Sequence, residues 1–302
     1  VVARVRRALQ ERRVGHAGTL DPMATGLLVV GVGHATKLLH YLVGLDKEYV
    51  ATIRLGLTTT TDDADGDMVE TADPDAVTAI DADRMAAGIA ALTGEILQRP
   101  SSVSAIKVDG RRAYDLVRSG EEVDLPARPV TIAAFEVLSL RHEATPAGEP
   151  VIDVDVRVEC SSGTYIRALA RDLGADLGIG GHLTALRRTR VGPFAVADAV
   201  DVASRERDAP FDDDLAARLI TPAAAAALRF PTVELDADEA RDLGDGKRIP
   251  VSVADGGPYA AVTGTSAPSG PRLVGIIEVA GAKARVLMNL PVEATARGEG
   301  TP

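Results

Sequence analysis

The spacing of hydrophobic and polar residues predicts a mixture of helices and strands. In residues 2–13, Val2, Val5 and Leu9 fall on one helical face and arginines on the other, which predicts the end of an amphipathic helix. Helical spacing continues at residues 35–43, 79–92 and 164–177, and strand-like alternation occurs at residues 49–55, 129–140 and 151–159. Because no regular βαβ repeat is present, the pattern predicts an α+β fold, or mixed α/β.

The amino-acid composition of the chain changes between residues 209 and 231, where an acidic segment, a Thr-Pro pair and an alanine-rich segment follow one another. Beyond this point, residues 232–290 contain short β-prone segments separated by Gly, Pro and Ser, which predicts a small β-barrel of about 60–70 residues. We therefore expect a first domain over residues 1–222, a second over residues 229–291, and a loose tail over residues 292–302.

Composition narrows the classes of protein. Of the 302 residues, 46% are hydrophobic and 25% are charged, which is typical of a folded globular chain and not of a disordered one. No apolar run reaches the roughly 18 residues of a membrane helix, and no signal-peptide core follows the first charges. The single cysteine, Cys160, excludes an internal disulfide framework, and we expect a buried, inert thiol. These features predict a cytoplasmic protein without a membrane partner.

The net charge of −11 argues against a nucleic-acid binder, but the charge is unevenly distributed. Residues 1–20 carry five arginines against one glutamate, and residues 157–190 carry six arginines against three acids. Residues 62–84 supply most of the negative charge. Locally basic segments could therefore meet a phosphate backbone. Because only 3% of residues are aromatic, at most one or two bases could be stacked, so such a role would be local.

The densest chemical signal is the loop Gly-His-Ala-Gly-Thr-Leu-Asp-Pro-Met-Ala-Thr-Gly at residues 15–26. Three glycines and a proline restrict its backbone path, and Asp21 precedes Pro22, which favours an extended backbone. Asp21 could therefore be a rigidly presented catalytic carboxylate, or it could only cap a turn. His16 alone is better explained as a structural or backbone-positioning residue than as a base.

Other kinds of site are excluded by their missing motifs. The chain has no phosphate-binding Gly-x4-Gly-Lys-Ser/Thr loop, no complete dinucleotide fingerprint, no His-x3-His pair and no Gly-x-Ser-x-Gly elbow. Carboxylate chemistry without a metal or other cofactor remains, of either the nucleophilic or the acid–base kind. A glycosidase would need a second, equally constrained acid, and none is evident.

Residues 15–28 resemble the signature of the TruB family of tRNA pseudouridine synthases, which isomerise the T-loop uridine at position 55. Further segments resemble the family in the same order: residues 33–37, 46–49, 100–114, 127–130, 162–167 and 181–188, with a looser match at 61–66. Residues 232–290 resemble its RNA-binding PUA-type module less specifically. The resemblance spans about residues 1–200. Ala17 stands where the family commonly has Thr, and the family's early Lys-Pro-x-Gly-x-Thr-Ser segment is absent, so we expect a preceding segment to be missing.

The resemblance implies a pseudouridine-synthase domain with a central mixed sheet flanked by helices, and it implies base flipping with Asp21 as the catalytic carboxylate. Tyr49 would stack on the extruded base, where the alternative is a strand tyrosine packed in the core. Arg167 would hold Asp21 by two parallel hydrogen bonds. Tyr165 and Leu186 would line the pocket, and for both residues core packing is an equal alternative.

The remaining candidates are RNA contacts, each of which could instead be an ordinary surface charge. They are His16, Lys37, Arg187 and Arg188. The implied partner is the T-arm of tRNA, and we expect a monomer without metal. A competing hypothesis is a tRNA-binding or tRNA-folding protein on the same scaffold, in which the chemistry is secondary. The combination of Asp21, Tyr49 and Arg167 favours the enzyme, because binding alone would not need all three.

Overall fold

The computed structural model describes residues 1–101, 107–108, 111–112, 125–201, 214–267 and 270–291. The predicted loose tail (292–302) and most of the matched segment 100–114 lie outside these residues. Contacts divide the chain into two compact units, which we call the sheet unit (residues 18–28 and 43–199) and the terminal unit (residues 1–17, 29–42 and 200–302). In the described residues, no helix is both long and apolar enough to cross a membrane.

The sheet unit is built on one large, almost entirely antiparallel sheet. Its strands are β2 (Thr25–Gly26), β4 (Lys47–Leu55), β7 (Gly94–Gln98), β10 (Arg128–Ala144), β11 (Pro150–Cys160), β12 (Gly181–Val191) and β13 (Phe194–Ala195). Two short hairpins add β5 (Leu57–Thr59) with β6 (Met68–Thr71), and β8 (Lys107–Val108) with β9 (Arg111–Arg112). The sheet runs in the order β13-β12-β4-β11-β10-β7, and β2 adds to β12 in parallel.

Three helices of the sheet unit contribute to its apolar core. They are α3 (Pro74–Thr78), α4 (Ala82–Ala91) and α5 (Ile166–Leu177), and a 3-10 turn spans Val196–Asp198. Strand β4 alternates strictly between buried and partly exposed residues, so Tyr49, Ala51 and Ile53 enter the core that Leu169 and Leu173 of α5 complete. This alternation confirms the period-two prediction for residues 49–55.

The helix predicted over residues 79–92 corresponds to α4, which begins slightly later, at Ala82, and ends at Ala91. A separate short helix, α3, precedes it, because Asp73 and Asp81 each accept a hydrogen bond from a backbone N–H in the first turn and so begin their own helices. The helix predicted over residues 2–13 ends at Ala8, and Gln10 then takes a positive φ of 51°. Both differences arise at element boundaries, where local capping decides more than hydrophobic spacing does.

Strand β12 was not predicted from the sequence. It pairs with β4, but register shifts between Leu183 and Ala185 and between Arg188 and Arg190 mark two bulges. Each bulge adds a residue that reverses which face later side chains occupy, so the strand shows no sustained alternation. The bulges bracket the segment that carries Leu186 and Arg188.

The terminal unit contains the first strands of the chain and a second sheet. Its elements are α1 (Val2–Ala8), β1 (Val14–Ala17), β3 (Val29–Val32), a 3-10 turn (Gly33–Leu38), α2 (Leu39–Leu42), α6 (Pro222–Ala227), β14 (Thr232–Leu235), α7 (Ala237–Gly244), β15 (Ile249–Pro250), β16 (Gly256–Thr263), β17 (Arg272–Ala280) and β18 (Lys283–Asn289). Leu38 packs in one apolar cluster with Phe230 and Ile276. The predicted domain boundaries at 222 and 229 stay a prediction.

The second sheet corresponds to the β-rich segment predicted at residues 232–290. Its five strands run in the order β14-β16-β17-β18-β15, and β14 pairs with β16 in parallel. The two outer strands, β14 and β15, are not paired with each other in the described residues, so the sheet is half of a barrel and not the closed barrel that was predicted. Strand β15 has only two residues, too few to extend closure around the module.

Candidate active site

The loop that carries Asp21 follows a path fixed by backbone contacts. The N–H of Ala24 donates to the carbonyl of Asp21 at 2.9 Å, which closes a turn with Pro22 at its second position. The loop then joins the large sheet, where Gly26 lies beside Arg188 with a φ of +97°. A Cβ at Gly26 would lie 2.2 Å from the Arg188 carbonyl oxygen, so only glycine fits there. Asp21 therefore occupies a turn, which was one of the two alternatives that the sequence left open.

The Asp21 carboxylate is also held by a buried arginine, Arg167, as the family resemblance implied. Nε of Arg167 donates to Oδ2 of Asp21 at 2.9 Å, and Nη2 donates to Oδ1 at 3.1 Å. Arg167 lies in the first turn of α5 and its side chain is 4% exposed, whereas the Asp21 side chain is 32% exposed. The fork therefore fixes the plane of a carboxylate that solvent or a ligand can still reach.

The remaining contacts of Arg167 come from the segment after β5. Its Nη1 donates to the carbonyl of Thr61 at 3.0 Å and lies 3.5 Å from Oδ2 of Asp63. Asp63 is itself buried, and its Oδ1 accepts from the hydroxyl of Thr61 and from the N–H of Asp65. One guanidinium thus bridges two carboxylates. Asp63 was not predicted from the sequence, although the loose match at residues 61–66 contained it.

Two further predicted residues, Tyr49 and Leu186, lie in the core cluster that also contains Ile166 of α5. Tyr49 is 8% exposed and Leu186 is 6% exposed. Burial raises the pKa of the Tyr49 phenol, and the nearby positive charge of Arg188 opposes part of that rise. The phenol therefore keeps its proton throughout the neutral range.

Tyr165 lies at the start of α5 and is fixed through its backbone. The side-chain amide of Gln98 accepts from the N–H of Tyr165 at 2.9 Å and donates to its carbonyl at 3.0 Å. Gln98 is 2% exposed, so both ends of a buried amide are satisfied by one residue. Because Tyr165 is two residues before Arg167, this clamp also sets the position of the helix that presents Arg167.

The interpretation of Arg188 as an RNA contact or a surface charge is wrong. Its side chain is 1% exposed, and its guanidinium donates to the carbonyls of Leu27, Gly18 and Thr19. The alternation of β12 points Arg188 inward, while its neighbour Arg187 is exposed and donates to the hydroxyl of Thr25 at 3.3 Å. Adjacent arginines in a strand face opposite sides, a distinction that the Arg-Arg pair in the sequence does not reveal.

The other two candidates, His16 and Lys37, belong to the terminal unit. His16 is exposed on β1 opposite Val30. Lys37 is exposed at the end of the 3-10 turn, and its ammonium donates to the carbonyl of Asn289 at 3.0 Å. Cys160, in contrast, is buried as predicted, and burial raises the pKa of its thiol to about 11.

The described part of the chain contains no group of three or more His, Cys, Asp or Glu side chains arranged to hold a metal ion. The chemically distinctive feature is instead the partly exposed Asp21 carboxylate, which the buried guanidinium of Arg167 fixes, while a second buried guanidinium, that of Arg188, donates to the backbone of the same loop. Such an arrangement presents an oriented carboxylate that can act as a nucleophile or transfer a proton.

Comparison with known sequences gives matches along nearly the whole chain. Residues 6–166 match the family described as TruB family pseudouridylate synthase (N terminal domain). Residues 167–228 match the tRNA pseudouridylate synthase B C-terminal domain, and residues 230–291 match tRNA Pseudouridine synthase II, C terminal.

Curated relatives and solved structures agree with these matches. The tRNA pseudouridine synthase B of Leifsonia xyli subsp. xyli is 55% identical over 97% of this chain and 92% of its own length. That of Thermobifida fusca is 57% identical over 82% of this chain and 81% of its own. A solved chain described as "Structure of H/ACA RNP bound to a substrate RNA containing 2'-deoxyuridine" has a TM-score of 0.63 at 23% identity, covering 96% of this chain and 80% of that one, and supports the fold alone.

Proposed function

Because the chain belongs to the TruB family of pseudouridylate synthases, we propose that it isomerises uridine to pseudouridine in tRNA. The proposed target is the uridine at position 55 in the T-loop, and the proposed catalytic group is Asp21. The observation that carries this assignment is the two-point hydrogen bond from buried Arg167 to the partly exposed Asp21 carboxylate.

The chemistry of the reaction matches a single oriented carboxylate. The bond from ribose C1′ to uracil N1 breaks, a bond from C1′ to uracil C5 forms, C5 loses its proton, and N1 gains one. Atoms and electrons balance without another reactant, so a group that attacks the ribose or the pyrimidine and assists proton transfer is sufficient in principle. Arg167 fixes the direction from which the Asp21 oxygens approach, which favours a reactive geometry.

The target base must leave the stacked tRNA loop before it can react, at a cost of a few kcal/mol. We assign Tyr49 to stacking on the extruded base, and Tyr165 and Leu186 to the pocket around it. A ring contact with a base depends on the aromatic face and not on the hydroxyl. The Tyr49→Phe variant should therefore keep most of the single-turnover rate, and the Tyr49→Leu variant should lose most of it.

Binding of the rest of the tRNA is assigned to surface groups. His16, Lys37 and Arg187 are exposed or lie on exposed segments, and we propose that they contact RNA, together with the module over residues 230–291. The proposed working form is a cytoplasmic monomer that recognises the T-arm stem-loop. Replacing any one of these side chains should weaken tRNA binding at low salt more than it slows the chemical step, and replacing Lys37 or Arg187 should also reduce the salt dependence of binding.

The test of the proposed function is tritium release from tRNA labelled at uridine C5, because forming the C1′–C5 bond expels that hydrogen. We expect the unmodified chain to release one tritium per tRNA. The Asp21→Asn variant should release it at least about 1,000-fold more slowly, because the nucleophile is lost. The matched control is Asp83→Asn, an exposed first-turn carboxylate of α4.

A tRNA with cytidine in place of the T-loop uridine at position 55 should release nothing, which tests the choice of target. Equal release from the unmodified chain and from Asp21→Asn would remove Asp21 from the mechanism. Tight tRNA binding without any release would instead favour the competing function, a tRNA-binding or tRNA-folding protein.

A further inference from the structure

Arg188 is a buried cation without an acidic partner among the ion pairs of the described residues. Its guanidinium donates instead to three backbone carbonyls, those of Leu27 at 2.8 Å, Gly18 at 3.1 Å and Thr19 at 3.3 Å. A buried charge is destabilising unless it is well paired, and carbonyl dipoles compensate it less completely than a carboxylate does. An arginine in this position therefore needs an explanation other than stability.

The three carbonyls lie on both sides of Asp21 in the chain. Gly18 and Thr19 precede Asp21, and Leu27 follows it, so one planar guanidinium ties the two arms of the loop together. The backbone of Arg188 adds to this, because its carbonyl accepts from the N–H of Leu27 at 2.8 Å. Arg167 fixes the Asp21 side chain, and Arg188 fixes the backbone from which that side chain projects.

A second buried cation, Lys47, lies near Arg188. The ammonium of Lys47 donates to the carbonyls of Val43 and Leu45. Burial lowers the pKa of Lys47, and the nearby positive charge of Arg188 lowers it further. Only arginine can meet the three carbonyls of the Asp21 loop, because they lie in different directions and need donors from a planar fork. A lysine at position 188 has one nitrogen on a flexible stem and could satisfy only part of this set.

We propose that Arg188 is a positioning residue for catalysis, which holds the backbone of residues 18–27 so that the Asp21 carboxylate meets Arg167 and the reacting nucleotide in one fixed geometry. This inference rests on the proposed function, in which Asp21 is the reacting group. Arg188 itself, at 1% exposure, is too buried to touch RNA, so this role is exerted through the loop backbone.

The test compares Arg188→Lys and Arg188→Gln with a control, Arg54→Lys. Arg54 lies on β4, which pairs with β12, but near the opposite end of that strand pair from Arg188, and its guanidinium donates to Asp153. Three quantities are measured on the full chain: the single-turnover rate at saturating tRNA, the Kd for tRNA, and amide hydrogen exchange over residues 18–28. For both Arg188 variants we expect a rate about 10- to 100-fold lower, because small displacements of a reacting group have effects of this size.

The expected Kd is close to that of the unmodified chain, and exchange should accelerate in residues 18–28 but not in β11. Arg54→Lys should change neither the rate nor the exchange of the loop. An unchanged rate in Arg188→Lys and Arg188→Gln would overturn the proposal, and so would a weaker Kd with an unchanged rate. If both variants unfold while Arg54→Lys folds, Arg188 is a core residue and the proposal fails.

These results are separable from the proposed function. If the unmodified chain releases no tritium, the proposed function fails, while hydrogen exchange still shows whether Arg188 holds the loop. If the unmodified chain is active and the Arg188 variants are equally active, only the positioning role fails.

Discussion

The two sheets of the molecule bury different kinds of side chain. The large sheet and the segments around it bury Lys47, Asp63, Gln98, Arg167 and Arg188 together with their aliphatic core. In the five-stranded sheet, no charged side chain of described residues 232–267 and 270–291 is buried. An apolar core is sufficient to stabilise a small module. We therefore infer that the charges buried around the large sheet fix the positions of functional groups and contribute little to stability.

The surfaces of the two sheets extend the comparison. On the five-stranded sheet, Arg285 and Glu278 form an exposed pair at 2.7 Å, of a kind that contributes little to stability. The pair of Arg167 and Asp21 belongs to a different class, because Arg167 is buried and water cannot replace Asp21 as its partner. Substitutions in the two regions should therefore separate activity from stability.

The largest expected effect is the loss of activity in Arg167→Lys. The lysine nitrogen cannot reproduce the two parallel hydrogen bonds to Asp21 and also reach Thr61, so we expect a single-turnover rate at least about 100-fold lower. Tritium release from labelled tRNA measures this rate. Arg141→Lys, at an exposed pair with Asp155, is the control and should be fully active. Near-normal turnover of Arg167→Lys would contradict the assigned role.

The next effect is a loss of stability in the five-stranded sheet. Ile276 is fully buried there, and Ile276→Ala should lower the free energy of unfolding by about 2–5 kcal/mol, through lost burial and the cavity left behind. Denaturant unfolding and hydrogen exchange over β16–β18 measure the loss, and the rate at saturating tRNA should change little. Exposed Leu287→Ala is the control, with an effect within about 0.5 kcal/mol. Equal effects of the two substitutions would refute an apolar core around Ile276.

An intermediate effect is expected where a buried polar contact supports the site. Gln98→Met keeps much of the side-chain volume but removes both hydrogen bonds between this side chain and the backbone of Tyr165. Because the Tyr165 carbonyl still accepts from the N–H of Leu169, we expect a total cost of about 1–3 kcal/mol. Thermal unfolding measures the stability, and single-turnover kinetics measure any displacement of Arg167. A variant as stable and as active as the unmodified chain would show that this clamp is dispensable.

The smallest effect concerns pH and a histidine away from Asp21. Burial lowers the pKa of His182 below its ordinary value, so the unfolded chain binds a proton more readily than the folded one. The stability that depends on neutral His182 is complete above about pH 6.5 and is lost as the pH falls below that value.

The matched measurement for His182 is the free energy of unfolding at pH 7.5 and 5.5. Between these values the unmodified chain should lose about 1 kcal/mol more than His182→Gln, which cannot titrate. Parallel losses in the two proteins would mean that His182 does not contribute to the pH dependence.

Much of the fold follows from local patterns in the sequence. The alternation at residues 49–55 and 151–159 corresponds to β4 and β11, and the helical spacing at 164–177 corresponds to α5. These elements are regular and have one buried face, so hydrophobic period and backbone geometry agree. The two bulges of β12 interrupt its alternation of buried and exposed residues, so this central strand was not predicted from the sequence.

The sequence by itself determined the stiff Asp21 loop, the order of the matching segments and the likeness to a pseudouridine synthase, because turn chemistry and residue motifs are local properties. Only the tertiary structure decided that Arg167, 146 positions away, forms a fork with Asp21, that Asp63 shares the same guanidinium, and that Arg188 is buried and donates to the backbone of the loop. These relations depend on strand register and on the packing of α5 against the sheet. Such long-range arrangements determine which of several similar charged residues is buried, so the burial of a given arginine cannot be predicted from the local sequence.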